Sequence, residues 1–184
     1  MPLLASALVG FFLFSGVAAA DPASAKAPDL PTFSVHLTGY NAVPGQTDST
    51  PDITSIGAYS NPEVIAARSQ DLADVLPYGT VVEIDGPAAT STTCGYRAVS
   101  PLIGYRVIGD AMNSKIKNSV DVLFATSANY VTLSGREVNA STLLGSCDDV
   151  TIRIVGRVDI NHIPATAAAL KQLIEGKSDI ALAK

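Results

Sequence analysis

Two aspartates, Asp110 and Asp121, stand at the two edges of a short polar loop inside Arg106–Phe124, RVIGDAMNSKIKNSVDVLF. One ends the apolar, strand-like run Arg106–Gly109, and the other lies in a second such run, Val120–Phe124. Carboxylates in this position are either turn residues that accept from nearby backbone N–H groups or members of one site. Two carboxylates within a few ångströms of each other cannot both ionise cheaply, so one keeps a proton near neutral pH. A carboxyl that keeps its proton can act as a general acid, and once ionised as a base. Asp121 sits in the strongly apolar VDVLF, where partial desolvation raises its pKa. It is the expected acid/base, with Asp110 as the ionised neighbour that tunes it.

The surrounding sequence predicts mostly strands. Thr32–Tyr40 alternates, with Phe33, Val35 and Leu37 on one face and His36 on the other as a rim histidine. Asn41–Asn61 is loop, in which Asp48 stands before Ser-Thr-Pro and suits an Asx turn. Pro62–Ala73 carries good helix formers after a cap-like Asn61, an alternative to a strand that ends at Ala67 and leads into a turn or short helix. Leu76–Thr80 is a Pro-Tyr-Gly turn feeding the β-branched strand Thr80–Ile84. Cys94–Val99 and Leu102–Gly109 read as strands interrupted by Ser100-Pro101, Ser127–Tyr130 as a helical turn, and Gly135–Val138 as a short strand. Val150–Ile160 reads as the closing strand. The last expected element is a helix, Ala165–Lys177, with Leu170, Leu173 and Ile174 on one stripe.

The acidic stretch resembles the core of the 3D domain, a family named for three aspartates. Gly39-Tyr-Asn41, Gln46-Thr-Asp-Ser-Thr-Pro51 and Leu76-Pro-Tyr-Gly-Thr80 agree with it in order, and the matching blocks span about Thr38 to Val158. The resemblance implies a six-stranded double-psi β-barrel over residues 32–160, mainly β, with short helices and a C-terminal helical extension at 161–184. It also implies peptidoglycan or a related cell-wall glycan as partner, and lytic transglycosylase chemistry. There Asp121 protonates the leaving GlcNAc O4 and then takes the proton of the muramic acid O6 hydroxyl, which closes an anhydro ring. Asp110 steadies the developing charge. The two acids are expected to converge at the barrel mouth. Thr47, Asp48 and Thr50 line the glycan groove, and Lys115 or Lys117 meets the substrate's carboxylates. Met112-Asn113 stands where transglycosylase members often carry Gly-Gly, placing Asn113 against the sugar. The family's remaining aspartate follows a Val-Ala-Val-like strand; here that region reads AARSQDLADVLPYGT, with Asp71 and Asp74 as the candidates. A non-catalytic barrel of the expansin kind, which loosens wall polymers, is the alternative. In a third reading the acids are only turn residues.

Composition narrows the function classes. With 184 residues, 47% apolar and 16% charged, the chain can bury a proper core. A formal charge of −5 repels nucleic acid and anionic membrane surfaces. Aromatics are 6% with no Trp, so stacking platforms are scarce. Residues 1–20 form an apolar run ending in Ala18-Ala19-Ala20, which reads as a signal peptide, the alternative being an uncleaved anchor. Cleavage leaves no membrane span and a secreted or periplasmic protein, with residues 21–31 as a Pro- and Ala-rich linker. In an oxidising compartment Cys94 and Cys147 form one bridge; two buried free thiols are the alternative. Only His36 and His162 accompany the cysteines, too few and too scattered for a zinc site. Neither a cofactor nor a metal is expected.

Overall fold

The computed structural model describes residues 30–88 and 91–181. The expected signal peptide and nearly all of the expected linker lie outside the described residues. Among the described residues there are eight strands: β1 (Thr32–Asn41), β2 (Ile65–Arg68), β3 (Thr80–Asp85), β4 (Tyr105–Ala111), β5 (Ser119–Phe124), β6 (Asn129–Val131), β7 (Glu137–Asn139) and β8 (Cys147–Arg157). Three α-helices accompany them: α1 (Tyr96–Ile103), α2 (Ala140–Leu144) and α3 (Ala167–Ala181). A 3-10 turn, Gln70–Leu72, follows β2.

Six strands close into a barrel in the order β1-β5-β2-β4-β3-β8. β1 runs parallel to β5 and β2 parallel to β4, while the other pairs are antiparallel. The fold is mainly β with short helices and a C-terminal one, as the sequence predicts. Alternation explains the closure, because successive side chains on a strand point to opposite faces. Val35 and Leu37 of β1, Val120 and Val122 of β5, Ala66, Ile108, Val82, Val150 and Ile152 fill one buried cluster drawn from all six strands, which is the barrel interior. The intervening residues face outward. Over part of that outer surface α3 lays Leu170 and Ile174 on Ile65, Val107 and Leu123, while Leu173 stays partly exposed.

The disulfide between Cys94 and Cys147 is formed. It closes a span of 53 residues, and the loop-entropy model assigns such a crosslink about 4 kcal/mol. It ties the segment before α1 to the first residue of β8.

Two local expectations are corrected. Tyr96–Ile103 is helix rather than strand: Val99 and Ile103, four apart, bury one face, while Ser100-Pro101 sits inside the helix. Pro101 lacks the N–H that would bond the Arg97 carbonyl, and the Ser100 hydroxyl donates to that carbonyl instead (3.3 Å). Asn129–Val131 pairs with Glu137–Asn139 as a hairpin, so Ser127–Tyr130 is not a helical turn. The Asn139 side chain then caps α2 by accepting from the Ser141 N–H (3.0 Å), a role the sequence reading missed.

Arg106, fully buried on β4, ties the end of α1 to the turn before β2. Its guanidinium donates to the carbonyls of Ile103 and Pro62, each at 2.6 Å, and to that of Leu102. The last carbonyls of α1 are thereby satisfied. Burial pulls this guanidinium down to about 10.

Candidate active site

The acidic pair is assembled by an irregularity in strand register. β2 lies between β4 and β5, and Ala67 pairs with Asp110 on one side and with Asp121 on the other. On the β4 side, Ala66 faces Ile108 but Ala67 faces Asp110, so Gly109 is an extra, bulged residue. With unbroken alternation Asp110 would share the inward face of Ile108; the bulge turns it outward, level with Asp121. A Cβ at 109 would lie 2.6 Å from the Ile65 Cδ1 atom, so a side chain there obliges Ile65 to shift. Each strand spacing is about 4.8 Å, so the two aspartate Cα atoms stand about 10 Å apart across the small Ala67, with the carboxyl groups free to converge above it. The pair lies on the outer wall of the barrel beneath the loop that follows β1.

Strand β1 supplies two more groups to this face. Thr38 stands opposite Asp121 in register, and its hydroxyl donates to Asp121 Oδ1 (2.9 Å). Tyr40, two residues on and mostly buried, donates its hydroxyl to Asp110 Oδ2 (3.0 Å). Asp110 Oδ1 also accepts from the Ser55 N–H (2.9 Å) and the Ala111 N–H (2.8 Å). Three donors on one carboxyl are the surroundings that a carboxylate, an acceptor only, requires.

Asp121 has the opposite environment. Burial pushes its carboxyl up to about 6, and the charge of Asp110 adds to the rise; the Thr38 hydrogen bond and the more distant His36 oppose it. The Tyr40 hydroxyl is likewise held well above its usual range, first by burial and then by Asp110. Tyr40 thus stays a phenol and a donor. One acid accepts from three donors, while burial holds its neighbour above the usual carboxylate range.

Both acids open into a cavity of about 430 Å³, whose lining includes Thr47, Asp48, Ala67, Met112, Asn113 and Ile116. Five of the expected site residues thus meet: Asp110, Asp121, Asp48, Thr47 and Asn113. Thr50 does not line the cavity. Its N–H (2.7 Å) and hydroxyl (2.9 Å) both donate to Asp48 Oδ1, forming the Asx turn and holding the Asp48 carboxyl below the usual carboxylate range. Lys115 is exposed and outside the lining, as is Lys117, so the described cavity wall carries three acids and no Lys or Arg.

Neither Asp71 nor Asp74 reaches the cavity. Asp71 Oδ2 accepts from the Asn118 N–H (3.0 Å), which holds its carboxyl below the usual range. The residue directly after Ala66-Ala67 is Arg68, buried, with Nε donating to the Leu76 carbonyl (2.9 Å) and its guanidinium 4.8 Å from the Tyr78 ring centre. The third carboxylate at the cavity is Asp48.

The sequence reading missed Thr38, Tyr40 and Ser55. Thr38 and Tyr40 carried a faint signal, as hydroxyl side chains on the β1 face opposite Leu37. Ser55 carried none, because it acts through its backbone N–H. Among the described residues no group of three or more His, Cys, Asp or Glu is arranged to hold a metal ion. No protein-family model matches the chain, and no curated protein matches it.

Proposed function

We propose that this chain is a lytic transglycosylase-type enzyme of the 3D-domain kind that cleaves cell-wall glycan, with Asp121 as its general acid and base. The observation that carries the reading is the asymmetry of the acidic pair: a desolvated carboxyl at about 6 faces an open cavity, beside a neighbour surrounded by donors. A protonated Asp121 delivers its proton to the leaving sugar oxygen as the glycosidic bond breaks. Asp110 stabilises the oxocarbenium-like charge, held in place by Tyr40 and the Ser55 N–H. The Asp121 carboxylate then accepts the proton of the muramic acid O6 hydroxyl as that oxygen attacks its own anomeric carbon. No water enters, so Asp110 has no water to activate. The bound disulfide fits an oxidising compartment, in keeping with a secreted or periplasmic protein.

Digestion of purified sacculi, with mass analysis of the released muropeptides, tests this. Anhydro-muramyl ends are expected from the wild type and at least 10²-fold fewer from Asp121→Asn. Activity depends on the protonated acid at the outset, so it falls as pH rises through about 6. Absence of anhydro ends from a folded wild type that still binds sacculi would falsify the enzyme reading in favour of an expansin-like binding barrel.

A further inference from the structure

On the seam between β1 and β8, away from the acidic cavity, three side chains stand in line. His36 Nδ1 lies 2.7 Å from Asp148 Oδ1, and His36 Nε2 lies 3.1 Å from the Ser146 hydroxyl. Aspartate only accepts, so with a neutral imidazole Nδ1 carries the proton, Nε2 is the acceptor, and the Ser146 hydroxyl must be the donor. This is the tautomer and direction in which a histidine draws the proton from a serine nucleophile while a carboxylate orients the ring.

The arrangement is built by the fold rather than by chance rotamers of a loop. Val35 pairs with Val150 and Leu37 with Cys147, so β8 places two residues, Asp148 and Asp149, opposite the single His36. Asp149 takes a backbone φ of 54°, a conformation that L residues rarely adopt, and this bulge presents Asp148 to the imidazole. Ser146 is pinned from the other side. Its N–H donates to the Thr93 carbonyl (2.9 Å), it follows Gly145 at φ 64°, and it precedes the disulfide residue Cys147. A Cβ on Gly145 would meet the Thr93 oxygen, so the turn that carries Ser146 accepts only glycine.

We infer that Ser146, His36 and Asp148 form a second, nucleophilic site that transfers or hydrolyses small acyl esters. The Ser146 oxygen attacks the ester carbonyl carbon and passes its proton to His36 Nε2. The bond from acyl carbon to alcohol oxygen breaks, and that oxygen leaves with the proton from Nε2. Water, deprotonated by the same nitrogen, then cleaves the acyl-serine, and the proton returns to the Ser146 oxygen; ester and water give acid and alcohol. The His36 side chain is 34% and that of Asp148 83% exposed, so the trio lies open on the surface. The open site admits an ester that protrudes from its carrier, such as an O-acetyl ester on a polysaccharide. The inference does not depend on the reading of the acidic cavity.

The test uses the chain with its disulfide intact. A fluorophosphonate probe, with peptide mass mapping, should label Ser146. Labelling should vanish in Ser146→Ala, fall about 10²-fold in His36→Gln, and fall at least threefold in Asp148→Asn, each shown to be folded by its thermal melt. Hydrolysis of p-nitrophenyl acetate should follow the same order. An unlabelled Ser146, or a His36→Gln rate within twofold of wild type, overturns the proposal.

Discussion

The inner and outer faces of β1, β5, β2 and β4 obey different rules. Inside, Leu37, Val120, Val122, Ala66 and Ile108 are apolar and fully buried, and their order follows strict alternation. Outside, the same strands carry Thr38, Asp121, Ala67 and Asp110, with Tyr40 beside them, and Asp110 is there only because Gly109 breaks the register. The contrast shows how a barrel holds a desolvated acid without losing its core. The interior supplies the stability, while the outer wall holds the groups whose burial is unfavourable to folding.

The sharpest way to break this contrast is to move the charge by one residue. Val122→Asp turns a carboxylate from the wall into the interior, and an unpaired buried charge there should cost more than about 4 kcal/mol. Urea denaturation monitored by circular dichroism should find the variant unfolded or nearly so.

Asp121→Asn should have the opposite sign. The folded carboxyl titrates at about 6 against an ordinary 3.8, so the folded state prefers the protonated form. That preference is fully present below about 3.8 and is lost as pH rises through about 6, which leaves the wild type about 3 kcal/mol short at pH 7. The neutral amide escapes the penalty. The variant should melt roughly 5–10 °C higher than wild type at pH 7, and the gap should close near pH 4. An unchanged gap across that range would show that Asp121 is not desolvated.

Gly109→Val tests the bulge itself. The added side chain meets Ile65 and favours regular strand geometry, so a loss of about 1–3 kcal/mol is expected. The decisive readout is activity at a temperature where the variant is folded, since a displaced Asp110 no longer tunes Asp121. At the small end, Lys115→Ala should change stability by less than about 0.5 kcal/mol and leave the proposed cleavage of sacculi unaltered, because the lysine lies outside the cavity lining.

Much of this was legible in the sequence, for reasons particular to each element. The inward set of β1 follows from the alternation of Phe33, Val35 and Leu37. The buried stripe of α3 follows from Leu170 and Ile174, four apart. The turn at Asp48 follows from an aspartate two residues before a threonine N–H. Tyr96–Ile103 misled because Pro101 argues against helix unless something replaces the missing bond, and the Ser100 hydroxyl that does so is indistinguishable in sequence from any other serine. Ser127–Tyr130 misled because a hairpin partner eight residues away outweighs a local capping preference.

What the sequence determined by itself was whatever depends on neighbours along the chain: strand periodicity, helix stripe, the Asx turn, and a pair of cysteines with no other partner to choose. Which face Asp110 occupies, which hydroxyl reaches each acid, and which histidine meets which serine were decided only when strands from distant parts of the chain were set side by side. A single bulged residue reverses a side chain's direction, and no local pattern records it, because the register of a pair belongs to both strands at once.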